Sequence, residues 1–249
     1  MSDLEQLANW IANATYTTVF SGAGMSTESG LPDFRSAGGL WKQNRRFEEL
    51  ASTSALRHDF PEFVEFYRWR IRMLQGVEPH AGHRLIARWQ REGRVSALIT
   101  QNVDGLHTRA GSPEAIELHG SLRVIRCQRC GNEADAERFL TDDGTHCARC
   151  GGKMRPGVVL FGEALPEEAL RKAQEASERA DLFIVMGSSL QVSPANYFPQ
   201  VAKARGARLV ILNREPTALD DLSDLRLGGA IGETIAAIDR ILKGREPAS

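Results

Sequence analysis

The sequence has few cysteines, no excess of charge of either sign and no long apolar run. The four cysteines lie between Cys127 and Cys150, and 31 basic residues face 32 acidic ones, which leaves a net charge of −1. No overall field would therefore attract nucleic acid or an anionic membrane. The sequence also lacks a run of roughly 18 apolar residues and a secretory signal. We therefore expect a cytoplasmic protein with no membrane partner and no direct nucleic-acid partner.

Apolar segments alternate with helical ones along the chain. The segments 16–20, 95–100, 182–186 and 209–212 are apolar and rich in β-branched residues, and polar residues follow the last three of them directly. Helical patterns such as 166–180 separate them. This order predicts an α/β fold with a Rossmann-like parallel sheet and helices on both faces, in which a ligand binds beyond the carboxyl ends of the strands. The residues after Leu242 read as a dispensable tail.

A glycine-rich stretch, SGAGMSTESG at residues 21–30, follows the first predicted strand. Gly22 and Gly24 would let bare backbone approach a phosphate, and the helix expected after them would offer unpaired N–H groups. The dinucleotide fingerprint G-x-G-x-x-G requires a third glycine where this chain has Thr27. Two interpretations therefore remain open at this point, a phosphate-binding turn and a tight turn without a ligand.

The cysteines form two C-x-x-C pairs, CQRC at 127–130 and CARC at 147–150, with sixteen residues between them. This spacing is typical of a structural zinc site, and the glycines at 131 and 151 would permit the turn after each pair. Four thiolates leave no open position on the ion, so we expect the zinc to stabilise a small module and not to take part in catalysis. The alternatives are two redox pairs, or a site in which His146 replaces one cysteine.

Several motifs occur in one unbroken order from about Thr18 to Gly232. They are GAGMSTESG (22–30), PDFR (32–35), TQNVD (100–104), HG (119–120), the four cysteines, FGE (161–163), GSS (187–189) and Asn213. Together they resemble the sirtuins, which are NAD-dependent protein-lysine deacylases. The resemblance covers most of the chain, and one structural zinc ion and NAD as co-substrate are implied by it.

The resemblance implies two domains with a cleft between them, in which NAD and an acylated lysine of a protein or peptide meet. Residues 1–35, 81–120 and 157–249 would form a discontinuous Rossmann-like domain. A helical module (36–80) and a zinc-binding module (121–156) would form the small domain.

The resemblance also implies a role for individual residues. Arg35 would support the pyrophosphate, Phe34 would lie beside the nicotinamide, and Asn102 would position the ribose and a water. Val103 and Asp104 would bind the carboxamide. The whole set expected to contact NAD is Gly22, Ala23, Gly24, Thr27, Asp33, Phe34, Arg35, Gln101, Asn102, Val103, Asp104, His119, Gly187, Ser188, Ser189, Asn213, Glu215 and Ile231.

The implied reaction expels nicotinamide as the acyl oxygen attacks the ribose, after which a base activates a ribose hydroxyl. By resemblance His119 is that base, with Asn102 as the second catalytic residue, and an unperturbed histidine pKa near about 6.5 suits the task. The products are O-acyl-ADP-ribose, free lysine and nicotinamide, so the enzyme is an acyl transferase to ADP-ribose. The substrate peptide would pair as a strand with Val158, Val159, Leu160, Phe161, Gly162 and Glu163.

Tyr67 and Arg70 stand three residues apart on a predicted helix and so share a face. They resemble the pair with which one sirtuin branch grips acidic acyl groups such as succinyl or malonyl, although that branch usually has other residues at Thr27 and Asp33. We expect deacetylation as the main activity and keep acidic deacylation as the alternative. Tyr67 and Arg70 could also be ordinary parts of an aromatic, basic helix.

Three other classes of protein compete with the sirtuin interpretation. A dehydrogenase would use a similar fold, and a mono-ADP-ribosyltransferase would also release nicotinamide but leave the sugar on protein. A zinc-stabilised binding module would use the arginines near the cysteines, Arg123, Arg126, Arg129 and Arg149. The sequence is compatible with a monomer but does not determine the oligomeric state.

Overall fold

The computed structural model describes residues 1–244. These residues form a six-stranded sheet and a three-stranded sheet with helices packed on them. The last helix extends to Lys243, and the rest of the predicted tail lies outside the described residues. Within residues 1–244 no helix is both long and apolar enough to cross a membrane.

The strands and helices are as follows. The strands are β1 Thr17–Ser21, β2 Ala97–Thr100, β3 Ile116–Glu117, β4 Gly120–Cys127, β5 Glu133–Asp135, β6 Met154–Val158, β7 Leu182–Met186, β8 Arg208–Leu212 and β9 Leu225–Leu227. The helices are α1 Asp3–Asn13, α2 Leu40–Gln43, α3 Arg46–Leu50, α4 Thr53–His58, α5 Phe60–Met73, α6 Ala81–Arg91, α7 Leu106–Arg109, α8 Glu167–Arg179, α9 Tyr197–Ala204 and α10 Ile231–Lys243. Short 3₁₀ helices span Ala23–Ser29, Ala136–Leu140, Asp143–Thr145 and Asp220–Leu222.

The large sheet is entirely parallel, in the order β3-β2-β1-β7-β8-β9. Counted among themselves, these six strands follow the order 3-2-1-4-5-6 of the dinucleotide-binding fold. The order reverses between β1 and β7, where Val19 lies opposite Ile184. A crevice forms at such a switch point because the chain leaves the two strands in opposite directions. The predicted α/β fold with a parallel sheet is confirmed.

Helices cover both faces of this sheet. Two successive residues of β7 pack in different apolar cores, Phe183 in the core on one face of the sheet and Ile184 in the core on the other. Helices α1, α6 and α10 cover the first face, and α8 and α9 cover the second. Because successive side chains of a strand point to opposite faces, a strand buried on both sides becomes a continuous apolar run.

A third core joins α5 to the small antiparallel sheet, whose order is β5-β4-β6. Phe63 and Ile71 of the helix pack in one cluster with Ile125 and Met154 of the sheet. The buried guanidinium of Arg68 adds polar contacts, because it donates to the backbone carbonyls of residues 139 and 141 at 3.0 and 2.7 Å. Side chains of the predicted helical and zinc-binding modules thus share one core, while the predicted domain boundaries stay a prediction.

Two segments differ from what the sequence predicted. The helix after the glycine turn is a 3₁₀ helix of seven residues, which ends at Gly30 in the left-handed conformation (φ 88°) just before Pro32. The sequence SAGGLW at residues 36–41 predicts a flexible loop, but this stretch contains the start of α2. There the Leu40 and Trp41 N–H groups donate to the carbonyls of residues 33 and 34 at 2.8 and 3.0 Å.

Candidate active site

One cavity of about 580 Å³ opens at the carboxyl ends of β1, β2, β7 and β8 and extends to α5 and to the segment after β6. It brings together all but one of the residues predicted to bind NAD or substrate. Those that line it are Gly22, Ala23, Gly24, Thr27, Asp33, Phe34, Arg35, Tyr67, Arg70, Gln101, Asn102, Val103, His119, Val158, Val159, Leu160, Phe161, Gly162, Glu163, Gly187, Ser188, Ser189, Asn213, Glu215 and Ile231. Asp104 is not in this lining.

The glycines of the first loop pack against the loop after β7. The Gly24 N–H donates to the carbonyl of Gly187 at 2.8 Å, and a Cβ on Gly22 would lie 2.7 Å from the same oxygen. Gly187 itself has φ 66°. The close approach of two backbones therefore requires these glycines, whether or not a phosphate also lies against them. Because the Gly24 N–H donates to Gly187, the expectation that the helix after the glycines offers unpaired N–H groups was wrong at this residue.

The loop that follows is held by Asp33. Its carboxylate accepts hydrogen bonds from the N–H groups of Arg35 and Ser36 at 3.1 and 2.9 Å. The Phe34 ring packs on Trp41 with centroids 4.7 Å apart. Burial lowers the pKa of the Arg35 guanidinium, an effect that the charge of Glu48 opposes. Arg35 thus lies partly buried in the cavity, and no ion pair within residues 1–244 engages it.

The Asn102 side chain is fixed by hydrogen bonds to the Gly22 carbonyl and to the Ser26 hydroxyl. Its side-chain nitrogen donates to the Gly22 carbonyl at 3.0 Å and to the Ser26 hydroxyl at 3.1 Å. Its own N–H donates to the Thr100 hydroxyl at 3.1 Å. Since both amide protons are engaged, the carboxamide oxygen is the atom of this side chain that remains to accept from a ligand or a water.

Asp104 lies behind the cavity wall. Its carboxylate accepts from the Ser26 hydroxyl at 2.7 Å and from the Leu106 N–H at 2.9 Å. Burial raises the pKa of this carboxyl, while both hydrogen bonds oppose the change. Ser26 therefore connects Asp104 to Asn102. In this structure the Asp104 carboxylate supports the cavity through that chain of hydrogen bonds, and its predicted contact with a carboxamide stays a prediction.

The His119 ring has a defined orientation. Its Nδ1 lies 3.0 Å from the carbonyl oxygen of Gln101, and because a carbonyl can only accept, Nδ1 carries the proton and Nε2 is free to take one. Burial lowers the pKa of His119, the bond to the Gln101 carbonyl raises it, and the positive charge of Arg35 lowers it further, with a net decrease. The side chain is therefore neutral near pH 7 and is chemically suited to act as a base.

Tyr67 and Arg70 both line the cavity from α5, as their spacing predicted. The Arg70 guanidinium lies 5.1 Å from the centroid of the Phe34 ring. Burial lowers the pKa of Arg70, and within residues 1–244 no carboxylate forms an ion pair with it. Tyr67 is 4 % exposed and packs on Phe63 with ring centroids 4.6 Å apart. The pair thus belongs to the aromatic core, and Arg70, whose charge interacts with the Asp104 carboxylate without a direct ion pair, also presents a cation to the cavity.

The segment 158–163, which by resemblance would pair with a substrate peptide, begins as the end of a strand and continues as a turn. Strand β6 ends at Val158, where it pairs with Gly120 of β4. Beyond it the Val159 N–H donates to the His119 carbonyl at 2.8 Å, and the chain turns at Gly162 (φ 93°). Beyond Val158 the backbone forms a turn, and the pairing of residues 158–163 with a substrate peptide stays a prediction.

The four cysteines lie in the small sheet region with their sulfurs close together. The Cys130 sulfur lies 3.8 Å from that of Cys147 and 3.5 Å from that of Cys150, and the four sulfurs lie within 4.8 Å of one another. A tetrahedral ion with Zn–S bonds of about 2.3 Å separates its sulfurs by about 3.8 Å, so the cluster fits zinc. His146 is not part of this cluster. The glycines after the pairs both have φ 69°, as the tight turns require.

Comparisons with known proteins agree with this geometry. A sequence model of the Sir2 family matches residues 22–194. The chain is 54 % identical to NAD-dependent protein deacetylase 1 of Geobacillus kaustophilus, over 97 % of this chain and 99 % of the relative. The chain belongs to the Sir2 family. The sequence-based identification as a sirtuin is thereby confirmed.

Solved Sir2 structures also share the fold of the whole chain. A mutant Sir2 homologue in complex with ADP-ribose superimposes with a TM-score of 0.93 at 39 % identity and covers all of both chains. A Sir2 complex with a p53 peptide and NAD⁺ has a TM-score of 0.85 at 35 % identity and covers 98 % of each chain.

Two residues of this Sir2 site, Ser26 and Glu28, were not predicted from the sequence. Ser26 was in the glycine motif but was given no role, although it connects Asn102 to Asp104. Glu28 also lines the cavity, and its carboxylate accepts from the Gly232 N–H in the first turn of α10 at 2.9 Å. Both residues lie in the glycine-rich motif, but the sequence does not indicate their roles, because the residues that they contact are distant in sequence.

Proposed function

We propose that this Sir2 protein is an NAD-dependent lysine deacylase that chiefly removes acetyl groups from protein lysines. It releases nicotinamide and O-acyl-ADP-ribose, so the acyl group is transferred to ADP-ribose. The observation that carries the proposal is His119, a neutral histidine with a fixed Nδ1 proton, in one cavity with the glycine loop of a dinucleotide-binding sheet. The names of close relatives agree with it.

The residues present fit NAD. The carboxyl ends of β1 and β7 form the crevice where this sheet order takes a dinucleotide. Arg35 offers the cavity a cation that matches a pyrophosphate. Ser188, whose hydroxyl accepts from the Gln101 amide at 2.9 Å, lies with Ile231 on the side of β7 and α10, where the adenosine half would lie. When bound, NAD supplies a ribose carbon from which nicotinamide can leave.

His119 acts as the general base of the proposed reaction. The Gln101 carbonyl holds the proton on Nδ1, so Nε2 can accept a proton from a ribose hydroxyl. Asn102 directs its carboxamide oxygen to the ribose or to a water, because its two amide protons are already engaged. Phe34 shields the reacting carbon from water on the side of the cavity that it shares with Trp41.

The substrate is an acylated lysine in a protein or peptide, and its backbone docks on the turn after β6. Within residues 1–244 the Val159 carbonyl and the Gly162 N–H have no partner in the hydrogen bonds of this turn. One acceptor and one donor on an exposed edge suit main-chain pairing with an extended peptide. Phe161, 43 % exposed, offers an apolar contact beside them.

Arg70 favours a second candidate function, the removal of acidic acyl groups. A partly buried guanidinium without an ion-pair partner matches the terminal carboxylate of succinyl or malonyl. Acetyl carries no such group. We therefore propose desuccinylation or demalonylation as an additional activity of the same cavity. A cytoplasmic location and the absence of a nucleic-acid partner remain expectations from the sequence.

The test combines purified, zinc-loaded protein with NAD and peptides that carry acetyl-lysine or succinyl-lysine at one position. Nicotinamide release and transfer of the acyl group to ADP-ribose are measured by mass spectrometry. His119→Ala is the control for the chemical step. A dehydrogenase would instead form reduced cofactor, and a mono-ADP-ribosyltransferase would leave the sugar on protein. A folded, zinc-loaded protein that removes neither acyl group would refute the proposal.

A further inference from the structure

Arg155 and Glu163 form a two-pronged ion pair beneath the turn that follows β6. The Arg155 side chain is 3 % exposed and the Glu163 side chain 26 %. The two terminal nitrogens of the guanidinium lie 2.5 and 2.9 Å from the two carboxylate oxygens. This fork geometry fixes the carboxylate in both distance and direction.

The same two side chains also bind the backbone of the turn. The Arg155 guanidinium donates to the carbonyls of Pro156, at 3.2 Å, and of Val158. The Glu163 carboxylate accepts from the Leu160 N–H at 2.9 Å, and the Leu160 carbonyl accepts from the Glu163 N–H at 3.0 Å. Together these bonds connect the end of β6 to the far side of the turn.

The turn has a further attachment on each side. At its start, β6 pairs with β4, and the Val159 N–H donates to the His119 carbonyl at 2.8 Å. At its tip, the Phe161 N–H donates to the Ala51 carbonyl at 2.9 Å, and its carbonyl accepts from the Thr53 N–H at 3.0 Å. The sheet therefore holds the residues next to His119 and the 51–53 segment holds Phe161, whereas the Leu160 backbone is held by Glu163, which is itself paired with Arg155.

We propose that Arg155 and Glu163 are positioning residues that hold the peptide-docking edge at Val159 to Gly162. This inference rests on the proposed function. The Glu163 carboxylate accepts three hydrogen bonds within the protein, two from Arg155 and one from Leu160. Its contribution to substrate binding is therefore the conformation of the turn.

Two substrates of different length separate this role from a general structural one. The first is a peptide with residues on both sides of acetyl-lysine, and the second is acetyl-lysine capped at both ends, which has little main chain to pair with the edge. For Glu163→Gln we expect kcat/KM for the peptide to fall by about 10- to 30-fold, as the loss of one or two backbone hydrogen bonds implies. We expect the capped lysine to lose less than about threefold, and KM for NAD and kcat at saturation to stay near wild type.

The matched control is Glu168→Gln in the exposed pair with Arg171 on α8, where the charged groups lie 2.8 Å apart. It should leave both substrates unchanged. Thermal unfolding is measured for each variant. If Glu163→Gln does not fold, Glu163→Asp, which keeps the charge, is compared on the same two substrates. Equal losses on the two substrates, or no loss on either, would overturn the inference. Turnover by the wild type tests the proposed function independently of these variants.

Discussion

Arg70→Met tests whether the cavity prefers acyl groups that carry a negative charge. The wild-type guanidinium lies 5.1 Å from the Phe34 ring centroid and has no ion-pair partner within residues 1–244. Methionine is of similar length and keeps an apolar contact with the ring, but it removes the charge. The substitution should therefore affect an acidic acyl group far more than acetyl.

The size of the effect follows from the contacts that each acyl group can make. A charge-assisted hydrogen bond contributes about 1.5–3 kcal/mol, which corresponds to a decrease of about 10- to 150-fold in kcat/KM for desuccinylation. Deacetylation loses only the contact of the cation with Phe34, about 0.5–1 kcal/mol, or a factor of about two to five. Removal of the charge relieves its desolvation but also ends its attraction to the Asp104 carboxylate, so the thermal unfolding temperature should change little.

The assay measures kcat/KM with acetyl-lysine and succinyl-lysine in one peptide sequence. The matched control is Arg72→Met, since Arg72 lies on the same helix but is exposed. It should not alter the ratio of the two activities. A ratio within about twofold of wild type in folded Arg70→Met would refute the role of Arg70 and support its interpretation as an ordinary helix residue.

Three further predictions concern the base, the metal and the buried histidines. His119→Ala should lower kcat by about 10²- to 10⁴-fold. Because burial lowers the pKa of His119, the activity of the wild type should decline only below about pH 6.5. A decline centred above that pH would contradict the assignment of His119 as the base. Removal of zinc by a chelator should abolish the cooperative unfolding of the small sheet region, which circular dichroism measures. A melting curve that is unchanged after the metal is lost would exclude a structural role for the zinc ion. Burial lowers the pKa of His83 to about 2 and of His107 to about 3, so below about pH 6.5 the unfolded chain binds protons that the folded chain does not. The free energy of unfolding in urea should therefore be lower at pH 5.5 than at pH 7.5 by about 2.7 kcal/mol for the two together, and equal values would show that these histidines titrate in the folded state.

The sheet could be predicted because its signals are local. Residues 182–186 were predicted as a strand and form β7 with the same limits, since a strand buried on both faces becomes a short continuous apolar run. The polar residues after β2, β7 and β8 meet because parallel strands end at one edge of the sheet. The spacing of the cysteines likewise predicted that their four sulfurs lie together.

The position of Asp104 could not be predicted, because it depends on a contact between distant residues. The motif at 100–104 indicates which polar groups follow β2 but not which of them reach the cavity. Ser26, 78 residues away, donates to the Asp104 carboxylate, which lies behind the wall. The conformation of the segment after β6 could not be predicted either. Its apolar residues match a strand, but the ion pair between Arg155 and Glu163 stabilises a turn.

The glycine-rich stretch 21–30 therefore has two sides, and motif reasoning describes only the side that faces the cavity. Glu28 lines the cavity, but its carboxylate also accepts from the Gly232 N–H, and on the other side the His80 Nε2 lies 2.7 Å from the Met25 carbonyl oxygen. A Cβ on Gly232 would lie 2.6 Å from a Glu28 oxygen. Gly232 lies in the first turn of α10, where helix propensity gives glycine no advantage over alanine. The close contact with Glu28 explains why α10 has glycine there, and it fixes α10, which carries Ile231, against the loop that the cavity requires.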